Sequence, residues 1–294
     1  MRVAVLGCGY VGLELCRQLV DDHDVVGVRR SSEGVERIEA TGAQAVQADV
    51  TDPDALAAVP DVDAVVFAAS SGGRGAEAAR EVYVEGLRTA VDHFCEREDP
   101  PGRLVYTSST GVYGDHDGDW VDEGTPIEPT TPKTEVLAEA ERIALDRPTD
   151  DCDGTVARFA GLYGPERYRL ERYVEGPVTE GYLNMVHRDD AAGAVAYLLE
   201  TGRGRGEAVN VVDDEPVAKH AFADWLAAEC GRDSPAKRTV EERLAEGDLS
   251  DPAERRLRTS KRVANVRLRE LDYEFAFPTY REGYRAAIDA YRGE

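Results

Sequence analysis

Short apolar runs alternate with longer segments of helical periodicity along the first half of the chain. This alternation is typical of βαβ units, in which parallel strands form a central sheet and helices cover both faces. Val11, Leu15 and Leu19, for example, follow the four-residue spacing of a helix that packs on a sheet. The predicted strands are RVAVLG, DVVGV, AQAVQAD, DAVVFAAS, RLVYTSS and TVARFAGLYG. The pattern predicts an α/β fold with a doubly wound parallel sheet.

Two further apolar stripes predict helices that border the end of the fifth strand. The first consists of Tyr83, Leu87, Ala90, Val91 and Phe94. The second consists of Val136, Ala140, Ile143 and Ala144. The second stripe places Lys133 at the start of its helix.

The regular alternation weakens after about residue 165. DDAAGAVAYLLE predicts one more helix, with Asp189 or Asp190 as its N-cap. Residues 234–258 are dense in charge and predict either a mobile surface loop or an exposed helix. We therefore predict a nucleotide-binding domain over 1–165 and a smaller substrate lobe over 166–294, partly packed on it.

The charge balance is strongly acidic, with 58 Asp and Glu against 35 Lys and Arg and a formal net charge of −23. Only four of the basic residues are lysines. Salt screens the self-repulsion of such a surface, so the composition favours a salt-adapted, halophilic source over a merely acidic protein. It also argues against nucleic-acid binding, because no basic face is available to neutralise phosphates.

Composition also bears on compartment and metal content. No apolar run reaches the length of about 18 residues that a membrane span needs, and MRVAVLGCGY does not resemble a signal peptide. The expectation is a soluble, cytoplasmic protein without a membrane partner. Five cysteines without CxxC or Cys/His clustering predict reduced thiols, with neither a disulfide framework nor a zinc site. No metal is expected.

The segment GCGYVG directly follows the first strand and opens a helix. Gly7 permits a tight turn, Gly9 lets the backbone approach a pyrophosphate, and Gly12 allows close packing of helix on strand. The helix N-terminus, with Tyr10 and Val11, would direct free N–H groups at the phosphates. In this context the motif predicts a dinucleotide site on a Rossmann-like sheet.

The ends of the next three strands supply the other predicted cofactor contacts. The second strand leads into Arg29 and Arg30, where an NAD site usually has an acidic residue for the ribose 2′-hydroxyl. Guanidinium groups suit a 2′-phosphate, so NADP is preferred and NAD stays open; the alternative is that both arginines are solvated surface charge. Further contacts are expected from the ends of the third and fourth strands, at Asp49, Val50, Ala68, Ala69 and Ser70.

These segments, together with VYTSSTGVYG, ARFAGLYGP, NMVHRDDAAGAV, AVNVVDDEPV and SKRVANVRLRELDYEF, resemble the short-chain dehydrogenase/reductase superfamily over nearly the whole chain. The resemblance is to its extended branch, the NAD-dependent epimerase/dehydratase-like proteins. It implies a Rossmann-like domain with a small C-terminal substrate lobe and NAD(P)-dependent chemistry. It also implies that Ser109 hydrogen-bonds a substrate oxygen, although a serine at a strand end can simply cap a turn.

Three departures make the chain resemble the atypical members of that superfamily, which keep the fold and the dinucleotide site but lack the Tyr/Lys pair. The Tyr-x-x-x-Lys pair is absent, since the two possible registers give Lys133 and Leu137, or Thr131 and Glu135. Tyr83 stands where the family usually has Asn. The glycine motif lacks the first glycine of G-x-x-G-x-x-G, because position 6 is Leu.

Lys133 is the candidate substitute for the missing tyrosine, because a lysine desolvated beside a cationic nicotinamide can act as an acid or base. The alternative is an exposed lysine in the first turn of a helix. Tyr113 is a candidate for proton transfer or for pocket packing. Arg158, Asn184 and His187 are candidate substrate contacts, and His187 can equally be structural.

The sequence thus predicts an NAD(P)-dependent oxidoreductase or epimerase-like enzyme for a small polar substrate, with sugar nucleotides among the candidates. The competing hypothesis is a dinucleotide-binding sensor or regulatory protein that has lost catalysis. Dimers are common in the family, which makes a homodimer an expectation by analogy only.

Overall fold

A computed structural model describes residues 1–71, 75–146 and 151–293. The strands of the first half are β1 (Arg2–Leu6), β2 (Asp24–Arg29), β3 (Gln44–Gln47), β4 (Ala64–Phe67), β5 (Arg103–Ser109), β6 (Trp120–Val121), β7 (Asp153–Phe159) and β8 (Gly161–Tyr163). The helices of the first half are α1 (Tyr10–Leu19), α2 (Ser32–Glu39), α3 (Pro53–Leu56), α4 (Ala76–Arg80), α5 (Leu87–Phe94) and α6 (Pro132–Asp146). A π-helical segment, Glu81–Gly86, joins α4 to α5, and a 3₁₀ turn, Thr110–Tyr113, follows β5.

The second half consists of shorter elements. Its strands are β9 (Val178–Thr179), β10 (Tyr182–Leu183), β11 (Met185–His187), β12 (Ala208–Val211), β13 (Val217–Ala218), β14 (Lys237–Arg238) and β15 (Arg262–Val263). Its helices are α7 (Leu170–Glu175), α8 (Arg188–Thr201), α9 (Lys219–Glu229), α10 (Val240–Ala245), α11 (Asp251–Arg258), α12 (Val266–Glu270), α13 (Tyr280–Gly283) and α14 (Arg285–Arg292).

The main sheet has the strand order β3-β2-β1-β4-β5-β7-β12, and all the pairings within it are parallel. Strand order reverses between β1 and β4, because the chain first builds outward from β1 to β3 and then crosses back. In open parallel sheets a ligand binds at such a switch point, outside the carboxyl ends of the strands. The predicted fold class is confirmed, and the sheet places GCGYVG at the switch point.

Two apolar layers cover the sheet. One face buries Leu15 and Leu19 of α1 together with Val195 and Leu198 of α8. The other face buries the stripes of α5 and α6, so the doubly wound arrangement is present. The predicted position of Lys133 at the start of a helix is confirmed, because α6 begins at Pro132 and Lys133 is its second residue.

The sixth predicted strand, TVARFAGLYG, is wrong as a single element. It is divided into β7 and β8, because Ala160 donates its N–H to Val211 of β12 whereas Gly161 pairs with β11. The four-residue strand β12 was not predicted, although it completes the sheet beside β7. Its short AVNV core gives no alternation long enough to distinguish it from a loop.

The N-cap prediction for α8 is also wrong. His187 is the N-cap, and its Nδ1 accepts a hydrogen bond from the N–H of Asp189 at 3.3 Å. Asp190 instead turns inward and accepts from the backbone N–H groups of Ala276 and Phe277, at 2.7 and 2.8 Å. The acidic residue is therefore occupied in holding a later segment of the chain.

A third apolar cluster lies among the elements after residue 165, where α7, α9, α13 and α14 pack around Phe222, Tyr280 and Tyr284. The segment 234–258 contains the short helices α10 and α11, which corresponds to the exposed-helix alternative. The division at residue 165 stays a prediction. It falls between β8 and α7, whereas α8 and β12 from the second half pack with the main sheet.

The prediction that all cysteines are reduced thiols is wrong for one pair. Cys95, at the end of α5, and Cys152, just before β7, form a disulfide with their Cα atoms 5.7 Å apart. They are 57 residues apart in sequence, so no local spacing indicates that the fold brings them together. Cys8, Cys16 and Cys230 are free and buried.

Within the described ranges, no helix is both long and apolar enough to span a bilayer.

Candidate functional site

Two of the three glycines of GCGYVG, Gly7 and Gly12, are required by a close approach. Gly7 has φ +99°, and a Cβ there would lie 2.3 Å from the backbone of Ala69. A Cβ on Gly12 would lie 2.7 Å from the carbonyl oxygen of Gly7. A Cβ on Gly9 would instead have Arg29 Nη1 as its nearest neighbour, at 3.6 Å. Gly9 therefore borders open space, as expected of the position over which a pyrophosphate passes.

Helix α1 begins immediately at this turn. Gly9 is its N-cap, and no side chain caps the first turn. The N–H groups at Tyr10 and Val11 therefore remain available, and the helix dipole adds a partial positive charge at the same point. This end of the helix provides a preformed cradle for an anion.

Arg29 lies between two glycines at the end of β2. Its aliphatic carbons cover Gly34 at the start of α2, where a Cβ would lie 2.8 Å from Arg29 Cβ. Its guanidinium lies beside Gly9. Arg29 thus stands at the end of β2, which is where a 2′-phosphoryl group on the cofactor ribose would be recognised, and its guanidinium reaches toward the phosphate turn.

Arg30 is more exposed, and its nearest ion-pair partner is Asp49, with Nη1 4.0 Å from Oδ2. The other oxygen of Asp49, Oδ1, accepts from both the N–H and the hydroxyl of Thr51. Asp49 therefore holds the turn after β3 with Oδ1, while its Oδ2 faces Arg30. Val50 is buried in the core, where its side chain packs against Gly86.

The end of β4 lies directly against the glycine turn. Ala68 donates its N–H to Leu6 at 2.8 Å, and Ala69 is the residue that Gly7 touches. Both alanines are partly buried and Ser70 is exposed. Small side chains at these positions leave the switch point open to a dinucleotide.

Ser109 is the last residue of β5 and the N-cap of the following 3₁₀ turn. Its hydroxyl oxygen accepts from the N–H of Gly111 at 3.1 Å, so it does cap a turn. Its own hydrogen is still free to be donated to a substrate oxygen. Thr134 of α6 lies close by, because a Cβ on Gly111 would be 3.4 Å from Ser109 Oγ and 3.5 Å from Thr134 Cγ2.

Lys133 is exposed and extends over the ring of Tyr83, with Nζ 6.0 Å from the ring centroid. Leu137, which occupies the family's lysine position in the same register, is buried in the core. The two unusual positions, Lys133 and Tyr83, are thus neighbours in space. Tyr83 also lies in a π-helical segment, a distortion that is often found at functional sites.

Tyr113 and Arg158 lie in a buried polar network beneath these strand ends. The Arg158 guanidinium binds both carboxylate oxygens of Glu141 and donates to Tyr113 Oη at 2.8 Å. Tyr113 in turn donates to Asn210 Oδ1 at 2.9 Å. Burial raises the pKa of Tyr113 above its ordinary value. Both side chains are held inside the protein, which favours the packing alternative for Tyr113 and a positioning role for Arg158.

His187 is also enclosed. Its ring packs 4.0 Å from that of Phe277 and edge-on to Tyr163 at 5.3 Å. Burial lowers its pKa, so the ring is neutral near pH 7. As the N-cap of α8, His187 has a structural role, which corresponds to the structural alternative and not to a substrate contact.

Asn184 joins two segments of the second half. Its Nδ2 donates to the carbonyl of Lys261 at 2.9 Å, and its Oδ1 accepts from the N–H of Val263 at 2.7 Å. Its amide is therefore engaged with the backbone. Lys261 itself is buried and donates from Nζ to the carbonyl of Gly114 at 2.7 Å, directly after the 3₁₀ turn.

Sequence reasoning missed several polar residues at this edge. Glu141 and Asn210 complete the buried network, and Lys261 is a buried amine beside the turn that follows Ser109. The sequence signal of these residues is weak, because an isolated polar or charged residue usually indicates an exposed position. No cluster of three or more His, Cys, Asp or Glu side chains suited to a metal ion occurs in the described part of the chain.

The parallel sheet, the glycine turn and the uncapped start of α1 define a dinucleotide-binding protein of the Rossmann type. A model of the NAD dependent epimerase/dehydratase family matches residues 3–213. The chain belongs to this family, within the short-chain dehydrogenase/reductase superfamily, and its relatives support the atypical branch.

Two relatives cover nearly the whole chain. Protein YeeZ of Escherichia coli strain K12 is 30% identical over 285 residues, which is 94% of this chain and 96% of that protein. A putative NAD-dependent epimerase/dehydratase from Methylobacillus flagellatus is 30% identical, with a TM-score of 0.76 over 99% of this chain and 98% of the other.

A more distant structure supports the fold. The human epimerase family protein SDR39U1, solved with NADPH, has a TM-score of 0.79 at 19% identity, over 100% of both chains.

The residues present fit the NAD(P) cofactor that membership of this family leads one to expect. The space over Gly9 that a Cβ would fill, the free N–H groups of α1 and the small residues after β4 together suit a dinucleotide.

Proposed function

We propose that this protein is an NAD(P)-dependent oxidoreductase or epimerase-like enzyme acting on a small polar substrate, and that it prefers NADP. The observation that supports the cofactor preference is the position of Arg29, which packs on Gly34 and points its guanidinium to Gly9. No acidic residue takes the ribose-binding position at the end of β2. Sugar nucleotides are the substrate class to test first, because the family resemblance points to them.

The side chains around Ser109 would perform the substrate chemistry. A bound nicotinamide supplies a hydride donor or acceptor. Ser109 would orient a substrate carbonyl or hydroxyl oxygen with its free hydrogen. Lys133, over the Tyr83 ring, would exchange a proton with that oxygen, and an incoming substrate would desolvate the amine.

The elements after residue 165 would form the substrate lobe of the enzyme. They contribute most of a separate apolar cluster, which also includes Tyr163 of β8, and α8 and β12 tie them to the nucleotide-binding half. Asn184 and His187 would act in this lobe by holding its segments in place rather than by touching substrate.

A second function is favoured by one observation. Leu137 is buried and Tyr113 is enclosed, so the site has no tyrosine–lysine pair of the family type. A protein that binds NADP(H) as a sensor or regulatory subunit would tolerate this loss. Cofactor binding is common to both functions and turnover separates them.

The first experiment measures NADPH and NADH binding by nicotinamide fluorescence in high salt. We expect tighter binding of NADPH, and Arg29→Ala should weaken it about tenfold, since one charge-assisted contact to a phosphate is lost. NADH binding should stay unchanged. Arg37→Ala is the matched control, because Arg37 is exposed at the far end of α2.

Equal losses of NADPH and NADH affinity in Arg29→Ala would contradict the 2′-phosphate assignment. No binding of either cofactor to the wild-type protein would contradict both functions. Turnover against a panel of sugar nucleotides and carbonyl compounds then separates enzyme from sensor. If turnover is found, an unchanged rate in Lys133→Ala would exclude the lysine as the proton-transfer group.

A further inference from the structure

The loop that follows β8 is docked on the first residue of α1. Tyr10 donates its phenolic hydrogen to the carbonyl of Pro165 at 2.9 Å. Gly164 has φ +134°, and a Cβ there would lie 3.1 Å from both Tyr10 Oη and His187 Nε2. Only glycine allows this approach without displacing a neighbour. The docking fixes the next residues of the loop beside the phosphate turn.

Two arginines flank the Tyr10 ring, and they differ in how their charge is balanced. The Arg188 guanidinium lies 5.6 Å from the ring centroid and is paired with Glu14 at 3.1 Å and with Asp189 at 2.8 Å. The Arg167 guanidinium lies closer, at 4.0 Å from the centroid. Across the described ranges it forms no ion pair with a carboxylate.

An unpaired guanidinium at this place is informative because the chain carries 58 acidic residues against 35 basic ones. Stacking on an aromatic face orients the planar group without using its N–H donors. Arg167 thus presents a fork of free donors beside the side chain of Tyr10, the first residue of α1. The second half of the chain therefore brings a positive charge to the residue at which α1 begins.

We propose that Arg167 binds the pyrophosphate of the dinucleotide, and that it closes the cofactor site from the side of the second half of the chain. The inference rests on the proposed function, since it assumes that a dinucleotide occupies the glycine turn. The guanidinium would donate to the phosphate oxygens opposite the N–H groups of Tyr10 and Val11.

The position of Arg167 distinguishes it from Arg29. Arg29 reaches Gly9 from β2 and packs on α2, the side at which the ribose 2′-phosphate is expected. Arg167 reaches the Tyr10 ring from the loop after β8 and is not among the nearest neighbours of Gly9 or Gly34. The two arginines would therefore recognise different phosphates of the same cofactor, and their effects on ligand fragments should separate.

The test compares three ligands by titration calorimetry with the full chain: NADPH, 2′-phospho-ADP-ribose and 2′-AMP. The second keeps the pyrophosphate but lacks nicotinamide, and the third lacks the pyrophosphate. Arg167→Ala should weaken the first two about tenfold and leave 2′-AMP unchanged. Arg29→Ala should weaken all three. Arg167→Lys should lie between wild type and Arg167→Ala, because it keeps the charge but not the stacked fork.

The matched control is Arg232→Ala. Arg232 is also an exposed arginine over a tyrosine ring, with its guanidinium 5.7 Å from the centroid of Tyr291 in the C-terminal helices. All three ligands should bind this variant as they bind wild type. Thermal unfolding of each variant confirms that the fold is retained.

Unchanged NADPH affinity in Arg167→Ala, with normal binding by wild type, would overturn the inference and leave the proposed function standing. A loss for NADPH without a loss for 2′-phospho-ADP-ribose would also overturn it, because the contact would then be to the nicotinamide half. Failure of wild type to bind any of the three ligands would contradict the proposed function itself, and the inference with it.

Discussion

At the scale of single residues, the site edge contains a buried ammonium group. Lys261 lies among the segments 114–118 and 260–263, and its amine contacts the carbonyl of Gly114. Burial lowers its pKa to about 8, and the Coulombic effect of Asp115 opposes this only partly. A lysine that is charged and desolvated at pH 7 reduces the stability of the folded state.

The sign of the pH dependence follows from this shift. Between pH 8 and the ordinary lysine value near 10.5, the unfolded chain binds more protons than the folded one, so stability rises with pH. From pH 7 to pH 9.5 the Lys261 contribution to the free energy of unfolding should increase by about 2 kcal/mol. Lys261→Met should be more stable than wild type at pH 7 and should lack this increment.

The measurement is urea unfolding of wild type and Lys261→Met at pH 7, 8 and 9.5. Subtracting the two series removes the contributions of the other titrating groups. Lys237→Met serves as the control, because Lys237 is an exposed lysine paired with Asp224. Parallel pH profiles for wild type and Lys261→Met would contradict the assignment.

At the scale of elements, the short strands of the second half are held together by side-chain hydrogen bonds as well as by backbone hydrogen bonds between strands. β15 pairs with β6 through two residues, and Asn184 reaches the same segment from between β10 and β11. A single amide thus connects the strand ends of the lobe to residues 261–263. Asn184 was predicted to contact substrate, but its amide is hydrogen-bonded to the backbone of Lys261 and Val263.

Asn184→Ala should lower the free energy of unfolding by about 1–3 kcal/mol, because a buried carbonyl and a buried N–H lose their partner. NADPH affinity should change little, since the glycine turn lies on different elements. Urea unfolding and fluorescence titration measure the two effects, with the exposed Gln44→Ala on β3 as control. Intact stability with lost substrate turnover would instead favour direct contact with substrate.

The elements that the sequence predicted well are those with strong periodicity. The strands β1 to β5 and the helices α1, α5 and α6 follow from apolar spacing and from the glycine motif. Short or divided elements such as β8 and β12 could not be predicted, because pairing with distant residues decides them. The same holds within the site: Gly7, Gly9 and Gly12 are readable locally, whereas the position of Arg167 over Tyr10 depends on a loop more than 150 residues away.

At the scale of the whole molecule, the net charge of −23 dominates. Several surface arginines are drawn into ion pairs, such as Arg80 and Arg88 with Glu139, yet a large acidic excess remains. Repulsion among these carboxylates opposes the compact state and is reduced as the Debye length falls from about 10 Å at 0.1 M salt to about 3 Å at 1 M. Adaptation to a saline cytoplasm stays a prediction from composition.

Thermal unfolding in KCl should show the midpoint rising between 0.1 and 2 M, with most of the gain below about 0.5 M, where screening changes most. Sucrose at matched osmolality is the control, because it stabilises by exclusion without screening charge. A midpoint that is independent of KCl, or that rises equally in sucrose, would contradict charge repulsion as the cause.

The edge position of β12 has a consequence for how the protein is made. β7 gains its outer neighbour only when residues 208–211 have been synthesised, some fifty residues after β7 itself. Until then a nascent chain presents β7 as an open edge, the kind of surface on which strands of other chains can add. A gene fragment ending at residue 165 would retain every glycine of the nucleotide turn and still lack the strand that seals its sheet.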